Sequence, residues 1–201
     1  PLFISGGEKN GYDAKILEKI WADWEKFASY AFNKSHATCY SWVAYQTAYM
    51  KAHYPAEYMA ALMTRRFSDI GEITKLMEEC KMMGIPTLGP DVNESYVEFG
   101  VNNKGEIRFG LSAIKGMGSG AAEAIVRERE ANGPYQDIYD FVERVSLKDV
   151  NRKAFESLAL SGGFDCFTFI REQYLSSNNK GEVFLDLLIR FGQQYQHDKA
   201  E

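Results

Sequence analysis

Cysteine is scarce in this 201-residue chain, with only Cys39, Cys80 and Cys166. They are far apart and odd in number, which argues against a disulfide framework and makes a reducing compartment the expectation. Long apolar runs are missing too. No stretch of the sequence can span a bilayer, and no signal-peptide pattern opens it. A basic excess is also lacking, the formal net charge being −5. A freestanding protein that holds DNA by bulk electrostatics is therefore disfavoured, and any nucleic-acid contact has to be local or helped by further parts. No Walker loop, nucleophile elbow or oxyanion hole can be read. No D-x-D pair of carboxylates is present to hold two metal ions, and most Asp and Glu residues fall on helix faces as solvated surface. The chain opens on Pro1 without an initiator methionine, and an excised piece of something larger is expected.

What the chain does have is apolar and aromatic content, 45% and 14%, enough for one or two globular domains with a buried core. Residues 5–11 read as a loop. Asp13 caps an amphipathic helix carrying Ile16, Leu17, Ile20, Trp21, Trp24 and Phe27 at helical spacing. Ser35 is the expected N-cap of a second helix running to about Tyr54. That helix is aromatic nearly all round, and a central place in its domain is predicted for it. Pro55 suits the first turn of a third helix, and a fourth spans about Ile70 to Met83, stopped by Gly84. An extended connector follows at 85–91, then a hairpin pairing Tyr96–Val101 with Glu106–Gly110. Further helices are predicted over about Ala121–Ala131, Tyr135–Val145 and Val150–Leu160, the last closed by Gly162-Gly163. The tail after Cys166 is helical in pattern, with an end expected to fray.

The most informative stretch is Gly110 to Val126. A short apolar segment enters Lys115-Gly116-Met117-Gly118, and a helix starts at Ser119 or Gly120. Two glycines around one apolar residue permit a tight turn with positive φ. The free amides of the helix start face a position suited to an anion, with Lys115 beside it. This is the pattern of a helix-hairpin-helix, which grips duplex DNA through its phosphates. Taken alone, a G-x-G reads first as a glycine-rich turn between two packed helices, and the context elsewhere in the chain reverses that order. A second constellation is Asn33-Lys34-Ser35-His36, where charge and hydrogen-bonding groups gather at a helix start; a plain capped start reads as well there. Arg65-Arg66 is a solvated pair at a helix end, or a phosphate dock. His36 and Cys39, one turn apart, lack a second ligand pair for a metal.

Several motifs in fixed order resemble a known family. Phe32-Asn33-Lys34-Ser35-His36, Tyr45-Gln46-Thr47 and Lys51 to Ala61 look like the fingers of the bacterial DNA polymerase III alpha-subunit family, the replicative polymerase. Pro90 to Ser95, Gly110 to Gly116, Gly133-Pro134-Tyr135, Val150 to Lys153 and Ser161 to Asp165 continue the match, so that it covers about Gly11 to Asp165. The chain departs from the family pattern at Thr38, Cys39 and Gly89. The resemblance implies a mostly α fold: a helical fingers segment over 1–84, a connector and small β-hairpin over 85–110, a tandem helix-hairpin-helix module over 111–167, and a helical tail over 168–201. It implies a fragment of a DNA-directed DNA polymerase, inactive alone because the catalytic palm is absent. Lys115, Gly116, Met117, Gly118, Ser119 and Gly120 are then the contacts to the DNA backbone, and Asn33, Lys34, Ser35 and His36 face nucleotide or template. No cofactor is expected in the fragment, with Mg2+ in the palm of the parent enzyme. Primer-template duplex, a deoxynucleoside triphosphate and other replicase subunits are the implied partners, in the cytoplasm and away from membranes. The rival reading is a noncatalytic helix-hairpin-helix DNA-binding or scaffold protein.

Overall fold

The computed structural model describes residues 2–30 and 34–201. The chain divides into two compact units, Pro1–His53 and Tyr54–Glu201. The division falls between His53 and Tyr54, so the two helices that follow stand with the hairpin and the later helices.

The first unit holds α1 (Leu2–Lys9), α2 (Ala14–Tyr30) and α3 (Lys34–His53). The expected loop over 5–11 is instead mostly helix. Its glycines are tolerated there because α2 packs closely: a Cβ on Gly7 would run into the Leu17 side chain. Asp13 begins α2 as expected, its Oδ1 accepting the Lys15 amide at 2.8 Å. Phe3 packs against the rings of Trp21 and Trp24 at 5.8 and 5.0 Å. Ser35 lies inside α3 rather than before it. The predicted central position of α3 is also corrected, since Tyr40, Trp42, Tyr45 and Tyr49 are all exposed. Their rings contact one another along the helix, Trp42 on Tyr45 and Tyr45 on Tyr49. Aromatic residues on every side show that no face is dedicated to solvent; they do not supply a partner.

The second unit begins with α4 (Pro55–Arg65) and α5 (Ile70–Met82). Pro55 occupies the first turn of α4, where a missing N–H costs nothing. Asp69 caps α5 by accepting the Glu72 amide, and Gly84, at φ +73°, ends it. The connector then gives β1 (Thr87–Leu88), and the predicted hairpin gives β2 (Gly100–Val101) and β3 (Ile107–Arg108). Gly100 pairs with Arg108 and Val101 with Ile107, antiparallel. β1 lies parallel to the other edge of β3, a third strand that the alternation did not reveal. Met59, Met63, Ile73, Cys80, Phe99 and Ile107 form the core under this sheet.

A 3-10 turn at Leu111–Ala113 leads to α6 (Ser119–Asn132), α7 (Ile138–Arg144), α8 (Arg152–Ser161), α9 (Arg171–Leu175) and α10 (Phe184–Ala200). Their core gathers Ile125, Phe141, Phe155, Leu158, Phe164 and Tyr174. The second helix-turn-helix pair is α7 and α8, joined by 145–151. The Gly162-Gly163 echo closes α8 instead, with Gly162 left-handed at φ +88°. The turn at 145–151 needs no glycine. Ser146 Oγ donates to Asp149 Oδ2 at 2.7 Å, and the Asn151 side chain caps α8 by accepting the Ala154 amide. The tail belongs to the core of this unit: Leu185 and Leu188 of α10 are buried. Gln196 Nε2 donates to the carbonyls of Val142 and Val145, both at 2.9 Å, and so caps the end of α7.

Candidate nucleic-acid interface

The chain enters the glycine turn in extended conformation at Ile114 and reverses at Gly116, whose φ of +91° suits glycine. The Met117 amide closes the turn on Ile114 O at 3.0 Å. Its side chain is buried beside Ile114 in the helical core, so Met117 shapes the turn from within. Lys115, Gly116, Gly118, Ser119 and Gly120 are exposed. Gly118 is the N-cap of α6 in extended conformation and has no side chain to cap it. The first backbone bond of the helix is Ala122 N to Gly118 O. The amides of Ser119 and Gly120 precede it and point out of the helix end, without a capping acceptor among the described residues. Helix geometry concentrates partial positive charge at such an end. An anion with several oxygens fits it well.

The turn is positioned mainly by residues of the quoted motifs, with Arg129 of α6 added to them. The side chain of Asn93 pairs with the backbone of Tyr135 in both directions. Its Nδ2 donates to Tyr135 O and its Oδ1 accepts from Tyr135 N, both at 2.8 Å. Arg129 of α6 donates to the carbonyls of Val92 and Ser95, and Val92 N donates to Gly163 O. Residues 90–95 are thus a strap binding the ends of α6 and α8. Ser95, fully buried, donates to Phe109 O at 2.7 Å and accepts from Asp91 N. Gly110 is fixed by contact rather than by φ. A Cβ there would stand 2.5 Å from the carbonyl carbon of Glu98 and 2.7 Å from Phe99 N.

Charge around the turn is uneven. A cleft of about 380 Å3 beside it is bordered by Thr64, Phe67, Ser112 and Ser119, and also by Glu98 and Glu123. A phosphate is repelled on that side. On the other side the turn rests on α8: a Cβ on Gly116 would lie 2.6 Å from Ser157 Oγ and 3.2 Å from Lys153 Cε. This approach is not legible in the sequence, because Lys153 comes from a different helix-turn-helix pair.

Of the six residues expected to contact the DNA backbone, Lys115, Gly116, Gly118, Ser119 and Gly120 are exposed around the turn, and Met117 is buried beneath it. Lys34, Ser35 and His36 lie exposed in the first described turn of α3, in the other unit, with the His36 ring 4.2 Å from that of Tyr40. Asn33 lies outside the described residues. No group of three His, Cys, Asp or Glu side chains that could hold a metal occurs among the described residues. No helix among them is long and apolar enough to cross a membrane.

Fold and turn together define the class: residues 84–174 match the family model described as helix-hairpin-helix motif. Over 164 residues, 82% of the chain, it is 47% identical to DNA polymerase III subunit alpha of Haemophilus influenzae. It is 45% identical over 164 residues to the same subunit of Escherichia coli K12, and 48% over 165 residues to that of Chlamydia muridarum. The chain spans 13–14% of the length of these relatives. The resemblance seen in its motifs therefore holds: the chain is similar to a segment of the DNA polymerase III alpha subunit.

Proposed function

We propose that this chain is the part of a replicative DNA polymerase that grips newly made duplex behind the catalytic centre and forms one wall of the nucleotide side. The observation that carries the proposal is the uncapped, exposed start of α6 at Gly118-Ser119-Gly120, set beside a glycine turn and Lys115. A polymerase must hold every sequence alike, so it binds phosphates rather than base edges. Main-chain donors do this without regard to sequence. Asn33, Lys34, Ser35 and His36 then serve the fingers side, with Lys34 on phosphate and Ser35 and His36 ordering the closed state. Mg2+ chemistry belongs to carboxylates of a palm outside this segment. Primer-template, a deoxynucleoside triphosphate and other replicase subunits are the partners in the cytoplasm.

The glycines allow a clean test. Gly116→Ala would confuse folding with binding, because positive φ and the Ser157 contact both penalise it. Gly118 and Gly120 have open space around the would-be Cβ and ordinary φ. Alanine at Gly118 costs roughly 0.5–1 kcal/mol as a poorer cap. Alanine at Gly120 gains roughly 0.5–1 kcal/mol of helix propensity. The double variant should keep its melting temperature yet bind duplex DNA about tenfold more weakly, ~1.4 kcal/mol, because the added methyl groups hold a phosphate away from amides that are still in place. Unchanged affinity in a folded double variant would make the turn purely structural.

A further inference from the structure

Lys153 is the second residue of α8, and Arg152 the first. Two cations in the first turn of a helix oppose its dipole, and no acidic residue sits in that turn. For Arg152 the conflict is resolved inside the protein, through Asp186 on α10 and Glu156 one turn along. For Lys153 it is not: the side chain is exposed and has no ion pair among the described residues. A local rule broken without compensation points to a role outside the fold. The geometry names the role. The aliphatic stem of Lys153 runs along the glycine turn, with Cγ 3.7 Å and Cε 3.2 Å from where a Cβ of Gly116 would lie. The ammonium, one bond beyond Cε, is therefore held close to Gly116, the residue after Lys115. The two carboxylates of the cleft, Glu98 and Glu123, line it together with Met117 and Ser119, and Lys153 is not among the residues bordering it.

We propose that Lys153 is a second phosphate-binding cation of the glycine turn, so that the anion site is built jointly by the two helix-turn-helix pairs. The start of α6 supplies amides, Lys115 one charge, and the start of α8 the other. Gly116 lacks a side chain partly so that this lysine can lie against it. The inference rests on the duplex-binding reading above.

The test is the salt dependence of binding by the 201-residue chain to a blunt DNA duplex of mixed sequence, measured by fluorescence anisotropy from low to moderate salt. Each phosphate neutralised contributes about 0.9 to the slope of log K against log salt. Lys153→Gln should reduce that slope by about 0.9 and weaken binding to all sequences equally, without lowering the melting temperature. Lys153→Arg should restore the slope. Lys148→Gln, in the exposed turn before α8, should leave it unchanged. A Lys153→Gln slope equal to the parent's overturns the proposal, as does a loss that arginine fails to restore, which would mark a packing role. If Lys153→Gln is silent while the Gly118 and Gly120 double variant loses affinity, only the role of Lys153 falls. If the parent chain binds no duplex even at low salt, the underlying reading falls with it.

Discussion

Asn93 offers the sharpest test of how the turn is held. Its side chain makes two 2.8 Å hydrogen bonds to the backbone of one residue, Tyr135. Tyr135 is itself buried, its hydroxyl donating to Ile125 O at 2.9 Å and its ring lying under the Arg144 guanidinium. Asn93→Ala removes both bonds, worth about 1 kcal/mol each, and strands the Tyr135 N–H and C=O. Full desolvation would add about 1–3 kcal/mol per stranded group. Asn93 is only half-buried, so water reaches part of the vacated space, and the total works out near 2–4 kcal/mol. Asn93→Asp retains the acceptor for Tyr135 N but sets a carboxylate oxygen against Tyr135 O, and should be at least as damaging. Asn103→Ala, in the exposed hairpin turn, is the control and should stay within about 0.5 kcal/mol. Urea unfolding followed by far-ultraviolet circular dichroism measures all three. All three tryptophans lie in Pro1–His53, so tryptophan emission followed in parallel reports on the first unit. Variants at Asn93 within about 0.5 kcal/mol of the parent would show that residues 90–95 are not the strap described.

Gly110→Ala places a methyl group against backbone atoms of Glu98 and Phe99 and should reduce soluble folded protein sharply, read by expression and exchange protection. Gln196→Ala should cost about 1–2 kcal/mol in urea unfolding, since two carbonyls at the end of α7 lose their donor; no shift would mean that water replaces it freely. Burial, reinforced by the Asp91 carboxylate, pushes the Cys166 thiol up to about 12, and burial also raises Cys80. A raised thiol pKa means less thiolate, so at mildly alkaline pH a disulfide reagent should modify exposed Cys39 fast, Cys166 more slowly although that residue is also exposed, and buried Cys80 slowest. The hydrogen bond from Arg171 holds the Asp165 carboxyl below its usual range. The stability it adds is present above the unfolded-state pKa and lost as pH falls through the folded one. Both partners are about half exposed, so Asp165→Asn should remove well under 1 kcal/mol at neutral pH and nothing in strong acid.

Much of the helical order could be read from local signals that carry their own physics. Pro55, Asp69, Gly84 and Gly133 mark helix ends by backbone preference, and each does so in the structure. The glycine turn was legible for the same reason. What stayed hidden depends on distant neighbours. The helix α1 is allowed its glycines by Leu17, and β1 by an edge of β3 some twenty residues away. Both helices of the second helix-turn-helix pair were legible, but its turn was not, because it is closed by Ser146, Asp149 and Asn151 and carries no glycine flag. Gln196 read as a polar, fraying end, yet its amide serves a helix from another part of the chain. The motifs at 90–95, 133–135 and 161–165 look functional in sequence. In space they are the frame that holds the binding turn.

The donors offered by the start of α6 belong to the main chain, and every residue type but proline provides the same N–H at such a position. Side-chain truncation scans are therefore blind to this surface and would score its residues as dispensable. Only changes that add bulk, or that delete an N–H outright with proline, can reveal it. The same property makes bulk at Gly118 and Gly120, rather than side-chain chemistry, the constraint on the sequence there.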